Sequence, residues 1–131
     1  MAWVEIVTLL AVIQLLVFGF LVGKARMQYG IKAPATTGNE MFERYFRVQM
    51  NTLETLVVFL PALWIAALYW SPPLMAAIGV VYLIGRQLYL AAYVRDPARR
   101  SAGYSLSFLP VAVLALAGLV GAVRALLLHG S

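Results

Sequence analysis

Three long stretches of this chain carry no charged residue: Ile6–Gly23, Thr55–Gly85 and Ser101–Val123. An α-helix of about 20 mostly apolar residues crosses a bilayer core of about 30 Å. The first and third stretches each suffice for one crossing. The second is longer than a straight span needs, and Ser71-Pro72-Pro73 interrupts it. Proline lacks an N–H and clashes with the preceding helical turn, so two in succession predict a reversal. Four spans are expected, over about 3–23, 52–70, 74–93 and 103–125. Strands of a β-barrel would instead show segments of about ten residues with alternating polarity. These continuous runs do not alternate. The expected fold is an all-α integral membrane protein, a four-helix bundle making one domain over residues 1–131.

Composition agrees with that reading. The chain is 63% hydrophobic and 11% charged, where a soluble domain carries about 25% charged residues. An ordinary soluble domain and a disordered chain are both excluded. There are no cysteines, which removes disulfides, thiolate metal sites and a protein thiol nucleophile. Any sulfur chemistry needs a thiol from outside. A secretory leader would open with basic residues, whereas only Glu5 precedes the first apolar run, so a retained first span is expected. Trp3, Trp64, Tyr69 and Trp70 stand near span ends, where interfacial aromatics anchor.

The net charge of +5 is explained by where the basic residues lie. Lys24, Arg26, Lys32, Arg44 and Arg47 fall between spans one and two, and Arg95, Arg99 and Arg100 between spans three and four. The turn at 71–73 has none, and the C-terminal region has only Arg124. The positive-inside rule then places both long loops in the cytoplasm and both termini outside, in what the short loops suggest is a bacterial inner membrane. Aromatics do not interleave with these basic residues as in a nucleic-acid-binding surface, so no nucleic-acid partner is expected.

Topology does not account for every charge. At about 1.5 Å per helical residue, Arg86 lies roughly 20 Å beyond Pro73 and Glu54 roughly 25 Å before Ser71. Their comparable depth on two hairpin-linked helices predicts an ion pair, because an unpaired charge in a bilayer is costly. The alternative is an arginine that snorkels to the interface as an anchor. Arg47, Asn51 and Glu54 share one helical face at i, i+4, i+7, and Glu43 is spaced to pair with Arg47. Tyr82, Arg86, Tyr89 and Tyr93 share a face on span three. Such polar stripes suit either helix–helix contact or a site for an amphipathic ligand. Asp96 before Pro97 reads as an N-cap followed by a first-turn proline. His129 is the only histidine and stands near the C-terminus. With no cysteine beside it, neither a metal site nor a histidine-centred triad is expected.

The stretch Phe42-Glu43-Arg44-Tyr45-Phe46-Arg47-Val48-Gln49-Met50-Asn51-Thr52-Leu53-Glu54 resembles the signature of the MAPEG family, membrane-associated proteins of eicosanoid and glutathione metabolism. The upstream Pro34–Gly38 segment and the downstream Gly85-Arg86-Gln87-Leu88-Tyr89-Leu90-Ala91-Ala92-Tyr93 reinforce the likeness, which covers about residues 3–125. It is nearest the branch of the smaller microsomal glutathione transferases and the cysteinyl-leukotriene synthase. That resemblance implies a homotrimer with glutathione bound between subunits. Arg47, Asn51, Glu54, Tyr89 and Tyr93 would line the peptide from one subunit, and Arg26 and Gln49 would approach from its neighbour. Arg100 would activate the thiol, with the adjacent Arg99 as the alternative. The partners implied are a lipophilic electrophile or lipid hydroperoxide and the membrane lipids themselves, with no metal. Thr55 departs from the aromatic residue usual after the matching glutamate. The implied activity is glutathione conjugation, or glutathione-dependent peroxide reduction. The alternative is a lipid-binding or scaffold protein of the same fold without thiol chemistry.

Overall fold

The computed structural model describes residues 1–130. Its order is α1 (Ala2–Tyr29), α2 (Glu40–Tyr69), α3 (Pro72–Arg95), a single 3-10 turn (Pro97–Arg99) and α4 (Ser101–His129). All four helices are long and apolar enough to cross a membrane. Four such helices in one chain make an integral membrane protein.

Local chemistry explains where the helices begin. Asn39 caps α2, its side chain accepting from Phe42 N at 3.0 Å. Pro72 and Pro73 occupy the first turn of α3, with Ser71 capping from behind. There the missing N–H groups cost nothing, because first-turn donors have no helical acceptor. Asp96 accepts from Ala98 N at 3.1 Å and starts the Pro97–Arg99 turn. Pro110 and Pro61 are both carried inside continuous helices.

Helices α2 and α3 form the centre of the bundle. Helix α1 packs on both from one side, and α4 packs on both from the other. One core cluster joins Val4, Val7 and Ala11 of α1 to Phe59 and Leu63 of α2, Tyr82 of α3 and Leu114 of α4. Within it the Phe59 and Tyr82 rings stack at 4.0 Å. The outer surface is apolar: Phe20 is 73% and Leu127 79% exposed. A face of that kind belongs in lipid or against another subunit.

Helices α3 and α4 approach most closely beside the polar residues. A Cβ added at Gly103 would lie 2.5 Å from Tyr89 N, and one at Gly85 would lie 2.6 Å from Ser107 N. Glycine permits backbones to meet at that distance, as at other small-residue crossings in membranes. The pair holds the start of α4 against the second half of α3, where the candidate site forms.

Candidate functional site

The site is built around a buried cation. Arg86 is fully buried. Its Nη1 donates to Asn51 Oδ1 at 2.7 Å and to Thr52 Oγ1 at 3.2 Å, while Nη2 donates to Ser107 Oγ at 2.6 Å. The guanidinium also lies 4.4 Å from the centroid of the Tyr89 ring. One side chain of α3 thereby ties α2 to α4.

The expected ion pair between Glu54 and Arg86 does not form. Glu54 is exposed, and Arg86 bonds to neutral groups only. The depths match, but Thr52 and Glu54 are two residues apart on a helix, about 200° around its axis. With Thr52 turned inward, Glu54 must face outward. Glu43 likewise does not pair with Arg47: its Oε2 accepts from Gly38 N at 3.2 Å. The ion pair on α2 is Arg44–Glu40 at 2.6 Å, and Arg44 also caps the end of α3 by donating to Val94 O at 2.8 Å.

Above Arg86 opens a pocket of about 300 Å³ lined by Asn51, Tyr89, Arg100, Ser101, Tyr104 and Ser105. It lies at the end of the bundle that carries the α1–α2 and α3–α4 connections. The Tyr89 ring is 5.5 Å from that of Tyr93 and 6.2 Å from that of Tyr104, measured between centroids. Arg100 is held by a bond from Nη1 to Pro97 O at 2.8 Å. Arg99 points elsewhere, its Nε 3.8 Å from Asp96 Oδ2. The lining offers cationic, amide, phenol and hydroxyl groups and no carboxylate. An anionic or strongly hydrogen-bonding ligand suits it. Among the described residues, no group of three His, Asp or Glu is placed to hold a metal.

Of the residues expected at a site, the chain gathers Asn51, Tyr89 and Arg100 around this pocket, with Tyr93 beside Tyr89. Arg47 and Glu54 stand exposed on the Asn51 side of α2. Arg26 and Gln49 are not part of it. Arg26 lies over the Phe42 ring at 4.8 Å and donates to Ala35 O at 2.7 Å. Gln49 packs on α1, its Nε2 within 2.9 Å of where a Cβ on Gly19 would be. Ser101, Tyr104 and Ser105 of the pocket, and Thr52 and Ser107 on Arg86, were not anticipated. The signal for Ser107 was present: Gly103 and Ser107 are four residues apart, a small-residue spacing suited to close helix contact.

The MAPEG family model matches residues 4–120. The chain belongs to the MAPEG family. It is 45% identical over 118 residues to an uncharacterized protein of Synechocystis, covering 90% of this chain and 86% of that one. Human microsomal glutathione S-transferase 2 is 37% identical over 121 residues, 92% of this chain and 82% of the relative. Bovine leukotriene C4 synthase is 35% identical over an alignment of 139 positions, gaps included, that covers 94% of this chain and 93% of the relative. Among MAPEG proteins, this chain thus sits with relatives that include a glutathione transferase by name, and the match runs through all four helices.

Proposed function

We propose that this MAPEG protein is a membrane-bound glutathione transferase that joins glutathione to lipophilic electrophiles or uses it to reduce lipid hydroperoxides. The observation that carries the reading is the meeting of Asn51, Tyr89 and Arg100 at one pocket free of carboxylates. On this reading the loop end of the bundle faces the cytoplasm, and glutathione enters from there. Arginines receive its carboxylates, while Asn51 and the tyrosines bind its amides. Arg100 stabilises the thiolate. A nearby cation lowers a thiol pKa and so raises the reactive fraction at neutral pH. The apolar partner arrives through the lipid-facing surface, which brings a water-soluble nucleophile and a membrane-soluble electrophile together.

The assembly proposed is a homotrimer. Gln49 and Asn51 lie about 200° apart on α2, by the same helical geometry. Gln49 and Arg26 pack on the α1 side, away from the pocket of their own chain, which supports the reading that they serve a neighbouring copy's pocket. The test is the purified protein in detergent with glutathione, an aryl halide and a lipid hydroperoxide. Thermal stabilisation by millimolar glutathione, thiolate absorbance and turnover with either electrophile are expected. Stabilisation by lipid, with none by glutathione, would overturn the reading and assign a lipid-binding protein instead.

A further inference from the structure

We propose that Arg86, although walled off from the pocket, is a positioning residue that supplies a second, buried positive charge favouring the thiolate. The inference rests on the glutathione reading and names a further determinant of that site. Three observations carry it. Arg86 is fully buried, yet every side-chain acceptor it uses is neutral: Asn51, Thr52 and Ser107. Among the described residues, the ion pairs are Arg44–Glu40 and Arg99–Asp96, and neither involves Arg86. Its Nε is buried without any partner.

A cation held only to tie three helices together is a poor choice. A neutral amide would make similar bonds at a far smaller desolvation cost. Retaining the charge makes sense where an anion comes close. Two of its contacts, Asn51 and Tyr89, are themselves walls of the pocket. Because Asn51 Oδ1 accepts from Arg86, the carboxamide is oriented and its Nδ2 donor is left for other partners. A cation beside the amide and over the phenol ring also polarises both toward stronger donation. Arg100 at the mouth and Arg86 behind the wall then leave the pocket positive from two directions. When a bound thiol ionises, its S–H proton passes to water at the mouth and the sulfur keeps the electron pair.

The experiment is a pH titration of thiolate absorbance for glutathione bound to the full-length protein in nanodiscs. It compares wild type with Arg86→Lys, Arg86→Gln and Thr52→Asp. S-methylglutathione, which has no ionisable thiol, serves as the binding control. Arg86→Lys is expected to keep the bound thiol near its wild-type pKa. Arg86→Gln is expected to raise it by about one unit, a tenfold loss of thiolate below the pKa, with S-methylglutathione affinity measured beside it to separate the loss of charge from any loss of binding through Asn51. Thr52→Asp sets a carboxylate beside the guanidinium and should raise the thiol pKa in the same way, without removing Arg86. That variant decides the matter if Arg86→Gln does not fold. An unchanged thiol pKa in Thr52→Asp or in folded Arg86→Gln overturns the inference alone. A wild-type protein that binds no glutathione overturns the functional reading as well.

Discussion

Gly103 of α4 rests so closely on Tyr89 of α3 that a methyl group on it would meet Tyr89 N at 2.5 Å and Tyr89 Cα at 2.6 Å. This contact sets the distance between the first turn of α4, which carries Tyr104 and follows Arg100, and the tyrosine wall of the pocket. Gly103→Ala must therefore push α4 outward, since the opposing atoms are backbone and cannot turn aside. The expected cost is about 1–3 kcal/mol, typical of overpacking, seen as a lowered melting temperature in detergent together with weaker glutathione binding. Gly23→Ala is the control. A methyl there meets nothing within 4 Å, so stability should hold.

Arg99 and Arg100 are neighbours with different surroundings, and the difference is testable. Arg100 lines the pocket and is fixed through Pro97 O, whereas Arg99 leans toward Asp96. Arg100→Ala is expected to lower the thiolate fraction and turnover by about tenfold or more, the effect of removing a cation within a few ångströms of a titrating group. Arg99→Ala should stay near wild type in both. Equal losses from the two variants would remove Arg100 from the mechanism proposed above.

Ser107 and Glu54 give a contrast in stability. Ser107→Ala strips a buried guanidinium of its 2.6 Å acceptor, and leaving a buried donor unpaired costs about 1–3 kcal/mol. Glu54 is exposed and does not touch Arg86. Glu54→Gln should therefore change unfolding free energy by no more than about 0.5 kcal/mol, the range of ordinary surface substitutions. Thermal denaturation of both variants in one detergent makes the comparison, and an effect of Glu54→Gln as large as that of Ser107→Ala would restore the ion pair.

Glu54 and Arg86 show what a linear reading captures. Depth in the bilayer follows from residue count, which is why the four helices, the Pro72–Pro73 reversal and the shared level of Glu54 and Arg86 all follow from the chain alone. Which side of a helix faces inward depends on packing, and from Leu53 onward α2 has apolar residues on nearly every side: Leu53, Val57 and Val58 are as hydrophobic as the buried Leu56 and Phe59. Hydrophobic periodicity is weak where lipid and core have the same polarity. Asn51 and Tyr89 stood out because polar stripes are rare in such helices. Tyr104, Ser105 and Ser107 did not, because the close crossing at Gly85 and Gly103 that brings α4 to the site is a tertiary fact. The place of Arg100 came from the family resemblance, since a loop arginine carries no positional mark of its own.

The split between Arg100 at the pocket and Arg26 on the α1 side yields a prediction about assembly. If a neighbouring copy supplies Arg26, then Arg100→Ala chains and Arg26→Ala chains are each impaired alone but complement one another when co-expressed. A pocket built from the intact Arg100 of one chain and the intact Arg26 of the other contains both arginines. With random mixing in a closed cyclic assembly, about a quarter of pockets are complete, from one half multiplied by one half. Purification through two different tags, one per variant, isolates mixed assemblies for glutathione turnover. Each mixed trimer so isolated holds one complete pocket of its three, so recovery toward about a third of wild-type activity is the expected result. Activity equal to the average of the two separate variants would mean that Arg26 serves its own chain, or none, and the shared-site arrangement would fall.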